Sequence, residues 1–143
     1  MIKILIINGP NLNLLGSREP DVYGKQTFAS FFLELTNKYK NVVIFDYFQS
    51  NVEGELINKL QEAGMNKFVD GIIANFGGYS HTSVAIADAV AAIQLPVVEV
   101  HISNVYSREN FRQRLLTAKN CCGVITGFGL KSYELAVKSF LSN

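Results

Sequence analysis

Tryptophan is absent from this sequence, cysteine and histidine occur twice each, proline three times, and only 17% of the residues are charged. Each scarcity excludes something. The two histidines, His81 and His101, belong to different loops without cysteine or carboxylate partners at zinc-ligand spacing, so no metal site is expected. Cys121 and Cys122 are chain neighbours, a poor geometry for a structural disulfide, and read as buried thiols in a reducing compartment. A net charge of +1 leaves no basic field to recruit nucleic acid or an anionic membrane surface. The apolar start at residues 2–7 is too short for a signal peptide and runs straight into turn residues, and nothing approaches a membrane span. A cytoplasmic location is expected. What is abundant is apolar content, 48% of 143 residues, enough for one well-filled core and a single domain over 1–143. So little charge beside so much apolar material points to surface covered by copies of the same chain, although a large monomeric core would give the same composition; the partners expected are small molecules or further copies of the chain.

Short β-branched apolar runs at 2–7, 42–47, 71–74, 97–100 and 123–126 predict five buried strands. Pro96 stands at the entrance of the fourth, where its missing N–H costs least. Helical spacing fills the intervals: 28–39 behind a cap at Thr27, 54–65, 81–93 behind Ser80, a short piece from Glu109, and 133–141. This alternation predicts an α/β fold, a flavodoxin-like three-layer sandwich with a five-stranded parallel sheet in the order 2-1-3-4-5. In such sheets ligands bind outside the carboxyl ends of the strands, at the switch in strand order. Attention therefore falls on residues 8–13, 75–83 and 101–104, and on Arg18 and Tyr23 in the long connection after the first strand.

Glu99 and His101 are two residues apart at a strand's end and share a face, so the carboxylate can orient the imidazole as a proton donor. The plainer alternative is a histidine tied up structurally. In Asn75-Phe76-Gly77-Gly78-Tyr79-Ser80-His81-Thr82-Ser83 two glycines let the backbone close on a ligand, and hydroxyl residues then open a helix. A simple helix cap by Ser80 or Thr82 explains the same residues. Tyr23 is a weak base at neutral pH, with an unperturbed phenol pKa of ~10, unless a cation such as Arg18 stabilises its phenolate. The alternative there is an exposed loop in which Arg18 pairs with Glu19 or Asp21. Other signatures fail. Gly127-Phe128-Gly129 lacks the third glycine of a dinucleotide fingerprint, Ser83 is not on a nucleophile elbow, there is no Walker sequence, and the first strand ends in Asn8 rather than an acidic cluster.

Taken together, Asn8-Gly9-Pro10-Asn11-Leu12-Asn13, Arg18-Glu19-Pro20 with Tyr23-Gly24, residues 77–85, and Glu99-Val100-His101-Ile102-Ser103-Asn104 closely resemble the type II 3-dehydroquinate dehydratases. The likeness runs through nearly the whole chain. It implies a cofactor-free, metal-free lyase of the shikimate (or quinate) pathway, and so of aromatic amino acid biosynthesis, that converts 3-dehydroquinate to 3-dehydroshikimate by anti elimination through an enolate. By the resemblance Tyr23 is the base, Arg18 stabilises its anion, His101 oriented by Glu99 is the acid, and Asn11 helps hold a water against the enolate oxygen. It also makes Asn75, His81 and Arg112 ligands of substrate hydroxyls, Ile102 and Ser103 donors to the substrate carboxylate, and Arg108 a support of the lid. Asp88 matches a residue that reaches a neighbouring subunit's site, in a homododecamer built from trimers. Three positions depart from the usual pattern: Phe76, expected to narrow the pocket, and Ala87 and Leu115, which bear on subunit contacts and the wall near Arg112. The rival expectations are a flavodoxin-like nucleotide or flavin binder and a non-catalytic scaffold.

Overall fold

The apolar runs form strands β1 (Ile2–Asn8), β2 (Val43–Gln49), β3 (Gly71–Asn75), β4 (Val97–His101) and β5 (Gly123–Thr126). In the computed structural model, which describes residues 1–17, 19, 21 and 24–141, they build an all-parallel sheet ordered β2-β1-β3-β4-β5. The order reverses at β1, and Asn8 lies in register with Asn75 at the carboxyl ends of β1 and β3. That places the switch point of the fold between two asparagines.

Among the described residues four α-helices cover the sheet: α1 (Phe28–Lys38), α2 (Glu53–Asn66), α3 (Val84–Ala92) and α4 (Lys131–Leu141). The period of two along each strand sorts side chains between two cores. Ile4, Ile6, Ile73, Val98 and Val100 pack with Phe28, Phe31 and Leu35 of α1 and Tyr133, Ala136 and Val137 of α4. Leu5, Ile7, Ile72, Ala74 and Val97 pack with Leu56, Leu60 and Ala63 of α2 and Ile86, Ala89 and Val90 of α3. Thr27 caps α1 as expected, its hydroxyl accepting from the Ser30 N–H at 3.1 Å.

Five expectations need correction. The central strands are buried, but β5 is an edge strand that leaves Val124 exposed, and β2, at the other edge, is only partly covered. The segment expected as one helix over 81–93 is a 3-10 turn, Gly77–His81, followed by α3 from Val84. Its cap is neither Ser80 nor Thr82 but Ser83, whose backbone is extended as a cap requires and whose Oγ accepts from the Ile86 N–H at 2.9 Å. Of the two thiols expected to be buried, Cys122 is exposed, because it leads into the uncovered edge strand. The piece from Glu109 is likewise a 3-10 turn, Asn110–Gln113. Among the described residues no helix is long and apolar enough to cross a membrane.

Candidate active site

A cleft opens over the carboxyl ends of β1, β3 and β4. Pro10, Asn11 and Leu12 line it from the first loop, Asn75, Gly77, Gly78 and His81 from the second, and His101, Ile102 and Ser103 from the third. Arg108 and Arg112 close one side.

The first two loops touch at Gly9, where a Cβ would stand 2.6 Å from the Phe76 carbonyl oxygen, so only glycine fits this approach. Beyond it Asn11 takes a left-handed conformation (φ 70°), and its N–H donates to Asn51 Oδ1 at 2.9 Å. Gln49 Nε2 donates to the same Asn51 Oδ1 and to the Gly9 carbonyl, each at 3.2 Å, and the Tyr79 hydroxyl donates to the Asn51 carbonyl at 3.2 Å. Asn51, on the loop between β2 and α2, thus ties together the first two of the three loops that carry the cleft.

At the end of β3, Asn75 Oδ1 accepts from the Gly77 N–H at 3.1 Å, and its Nδ2 donates to the Tyr133 hydroxyl at 2.9 Å. His81 Nδ1 lies 3.0 Å from the Arg114 carbonyl. A carbonyl only accepts, so Nδ1 carries the proton and Nε2 is left as an acceptor for a ligand. Burial lowers the His81 pKa below the ordinary histidine value, which favours this neutral form. The His81 and His101 ring centroids are 6.1 Å apart.

On β4, His101 Nε2 is 2.7 Å from Glu99 Oε2, and Glu99 is fully buried. The other carboxylate oxygen, Oε1, accepts from the Thr117 hydroxyl and lies 4.0 Å from the Cys121 thiol. Burial, with the adjacent Glu99 charge second, pushes the Cys121 pKa up to about 12, so this thiol stays protonated and is available as a donor. With Nε2 committed to Glu99, Nδ1 is the nitrogen of His101 left to exchange a proton with a bound molecule.

Arg108 Nη1 donates to Ser103 Oγ at 3.3 Å, and Arg112 Nε donates to Glu109 Oε1 at 3.0 Å. Ile102 is buried at the cleft, its carbonyl already taken by the Gly129 N–H at 2.9 Å. The structure therefore brings together Asn11, Asn75, His81, His101, Ile102, Ser103, Arg108 and Arg112, with Glu99 behind His101. Asp88 is not among them: it is exposed on α3 and does not line the cleft. Arg18 and Tyr23 lie outside the described residues.

Phe76 does not narrow the cleft. Its side chain is fully buried in the core beneath α2 and α3, because it points opposite to Asn75. Ala87 is buried on α3, its carbonyl accepting from Asn120 Nδ2 at 3.3 Å, and Leu115 is not a wall residue. Thr117, Tyr133 and Asn51 escaped the sequence reading. Each acts through a contact distant in the chain, and none carries a local motif.

Comparison with known proteins agrees with this geometry. Residues 2–141 match the family model described as dehydroquinase class II. The 3-dehydroquinate dehydratase of Exiguobacterium sp. strain AT1b is 51% identical over 142 residues, covering 99% of this chain and 96% of the relative. That of Fusobacterium nucleatum is 51% identical over 139 residues, covering 95% and 94%. The crystal structure of the type II dehydroquinase from Butyrivibrio crossotus superposes with a TM-score of 0.94 at 44% identity, covering 99% of this chain and 98% of that one. A match of this extent, on a chain whose cleft lies at the switch point and holds a carboxylate-bound histidine, establishes that the protein belongs to the class II dehydroquinase family.

Proposed function

We propose that this enzyme dehydrates 3-dehydroquinate to 3-dehydroshikimate, by anti elimination through an enolate, in the shikimate or quinate pathway. The observation that carries the reading is the buried Glu99–His101 pair at the mouth of β4, in a chain of this family. Protonated His101 keeps one proton toward Glu99 and presents the other from Nδ1. That proton joins the departing hydroxyl, which leaves as water rather than as hydroxide.

Tyr23 is the base that takes the proton beside the ketone, and Arg18 favours its anion. The electron pair of the broken C–H bond passes to the ketone oxygen as an enolate, where a water held by Asn11 stabilises it. Collapse of the enolate expels the hydroxyl. Asn75, His81 and Arg112 hold the substrate hydroxyls, Ile102 and Ser103 receive its carboxylate, and Arg108 supports the lid through its bond to Ser103. The neutral state of His81, with Nε2 free to accept, suits a hydroxyl donor. No step in this scheme calls on a metal or cofactor.

The chain acts as a single domain, and we place it in the cytoplasm as a dodecamer built from trimers in which Asp88 serves the site of a neighbouring copy. Leu33, 72% exposed beside an apolar groove between α1 and β2, is surface of the kind an assembly covers. The test is to add 3-dehydroquinate to the purified protein and follow the absorbance of the conjugated enone. A steady rise is expected. Intact assembly without turnover would favour a scaffold, and a bound chromophore or nucleotide after purification would favour a binding module; either with no turnover overturns the proposal.

A further inference from the structure

We infer that Tyr133, on α4, is a positioning residue that anchors the nitrogen end of the Asn75 amide, so that its remaining N–H is held toward the substrate. The inference rests on the reading above that Asn75 holds a substrate hydroxyl.

Tyr133 is fully buried, and its hydroxyl sits between two asparagines from different strands. It lies 2.9 Å from Asn75 Nδ2 and 2.7 Å from Asn8 Oδ1, and Asn8 Nδ2 lies 3.3 Å from the Tyr47 hydroxyl. The direction of the whole chain follows from one group. The Gly77 N–H can only donate, and it points at Asn75 Oδ1 from 3.1 Å. The amide nitrogen of Asn75 must then face Tyr133, whose oxygen accepts. The single hydroxyl proton of Tyr133 is left for Asn8 Oδ1, and the Asn8 nitrogen is left for Tyr47. No member can reverse without stranding a buried polar atom.

The consequence reaches the cleft. Asn75 spends one N–H on Tyr133 and keeps the second for the ligand, so it presents a donor and not a carbonyl. Without Tyr133 the amide would be held only at its oxygen, by the Gly77 N–H, and the nitrogen end would lose the acceptor that fixes its angle toward the cleft. Burial holds the Tyr133 phenol far above the ordinary tyrosine pKa, so it remains protonated and takes no part in proton transfer. Its role is orientation. Tyr133→Phe keeps the ring, which packs edge-on against Phe28 with centroids 5.1 Å apart, and removes only the oxygen.

The experiment is steady-state kinetics with 3-dehydroquinate on the parent, Tyr133→Phe, Asn75→Ala and the double variant, with circular dichroism to establish folding. Tyr133→Phe should raise KM about tenfold with a smaller fall in kcat, and in the Asn75→Ala background it should add less than about twofold, since it acts only through that amide. An unchanged KM, or effects that multiply in the double variant, overturns the inference. If Tyr133→Phe does not fold, Asn8→Ala, which removes the acceptor that directs the Tyr133 proton, must show the same non-multiplicative rise in KM or the inference fails. A parent chain that does not turn over sinks the functional reading and this inference with it. A working parent beside an indifferent Tyr133→Phe sinks this inference alone.

Discussion

Glu99 and His101 face the same way from β4, and the 2.7 Å contact between Glu99 Oε2 and His101 Nε2 is backed by a second grip on the carboxylate, the Thr117 hydroxyl on Oε1. A carboxylate with both oxygens engaged and no exposure to water has one orientation, and so has the ring bound to it. The strand supplies the spacing, while the loop ahead of β5 supplies the lock.

His101→Ala should lower kcat by ~10²–10⁴-fold with the fold intact, the usual contribution of a positioned general acid. Glu99→Gln should cost less, because a ring contact survives without its charge. Thr117→Val, nearly the same shape, should fall between the parent and Glu99→Gln, chiefly in kcat. Near-parental turnover in His101→Ala would remove the acid assignment, and a parental kcat in Thr117→Val would show that Glu99 needs no second anchor.

The two thiols should differ sharply. Cys122 is exposed, whereas Cys121 is largely buried with its pKa pushed up to about 12. The reactive species is the thiolate, so a disulfide reagent near neutral pH should modify Cys122 first and leave Cys121 until the protein unfolds. Cys122→Ser should abolish the fast phase. A fast phase that persists in Cys122→Ser would mean that the burial of Cys121 is not maintained in solution.

For the assembly, a defined high-order oligomer is expected by light scattering in dilute solution. Asp88→Ala should weaken substrate binding even though Asp88 does not line the cleft of its own chain. A fully active monomer would overturn both the dodecamer and the shared-site role of Asp88.

The strands were legible because β1, β3 and β4 lie between two helical layers and are apolar on both faces apart from Lys3 and the site residues at their carboxyl ends, which turns three-dimensional burial into a near-continuous run of letters. The Glu99–His101 pair was legible for a related reason, since a strand's period converts a two-residue spacing into contact. Where several residues can do the same task, the sequence is silent. Ser80, Thr82 and Ser83 can all cap a helix, and the backbone at Ser83 decides. Partners distant in the chain were hidden as well: Thr117 meets Glu99 across 18 residues, Asn51 meets Asn11 across 40, and Tyr133 meets Asn75 across 58. Tyr133 reads as one more member of the apolar stripe of α4, and only its position over the ends of β1 and β3 reveals what its hydroxyl does.

The assignment of the base is the most demanding part of the scheme, because a phenol with an unperturbed pKa of ~10 is mostly protonated near neutral pH. It must be assisted to remove a proton from carbon. In the proposed scheme that assistance is the positive charge of Arg18, and a charge acts more strongly on a phenolate once water is excluded from a site. Tyr23→Phe should therefore bind substrate with KM within a few-fold of the parent and lose nearly all turnover, since the ring remains while the proton acceptor is gone. Arg18→Ala should fall by several orders of magnitude. Arg18→Lys should recover only part of that loss, because lysine restores the charge without the planar fork that bridges a phenolate and its neighbours. The decisive measurement is substrate deuterated beside the ketone, compared in the parent and in Tyr23→Phe. If Tyr23→Phe turns over at close to the parental rate and keeps the same isotope effect, another group removes the proton and the mechanism is wrong.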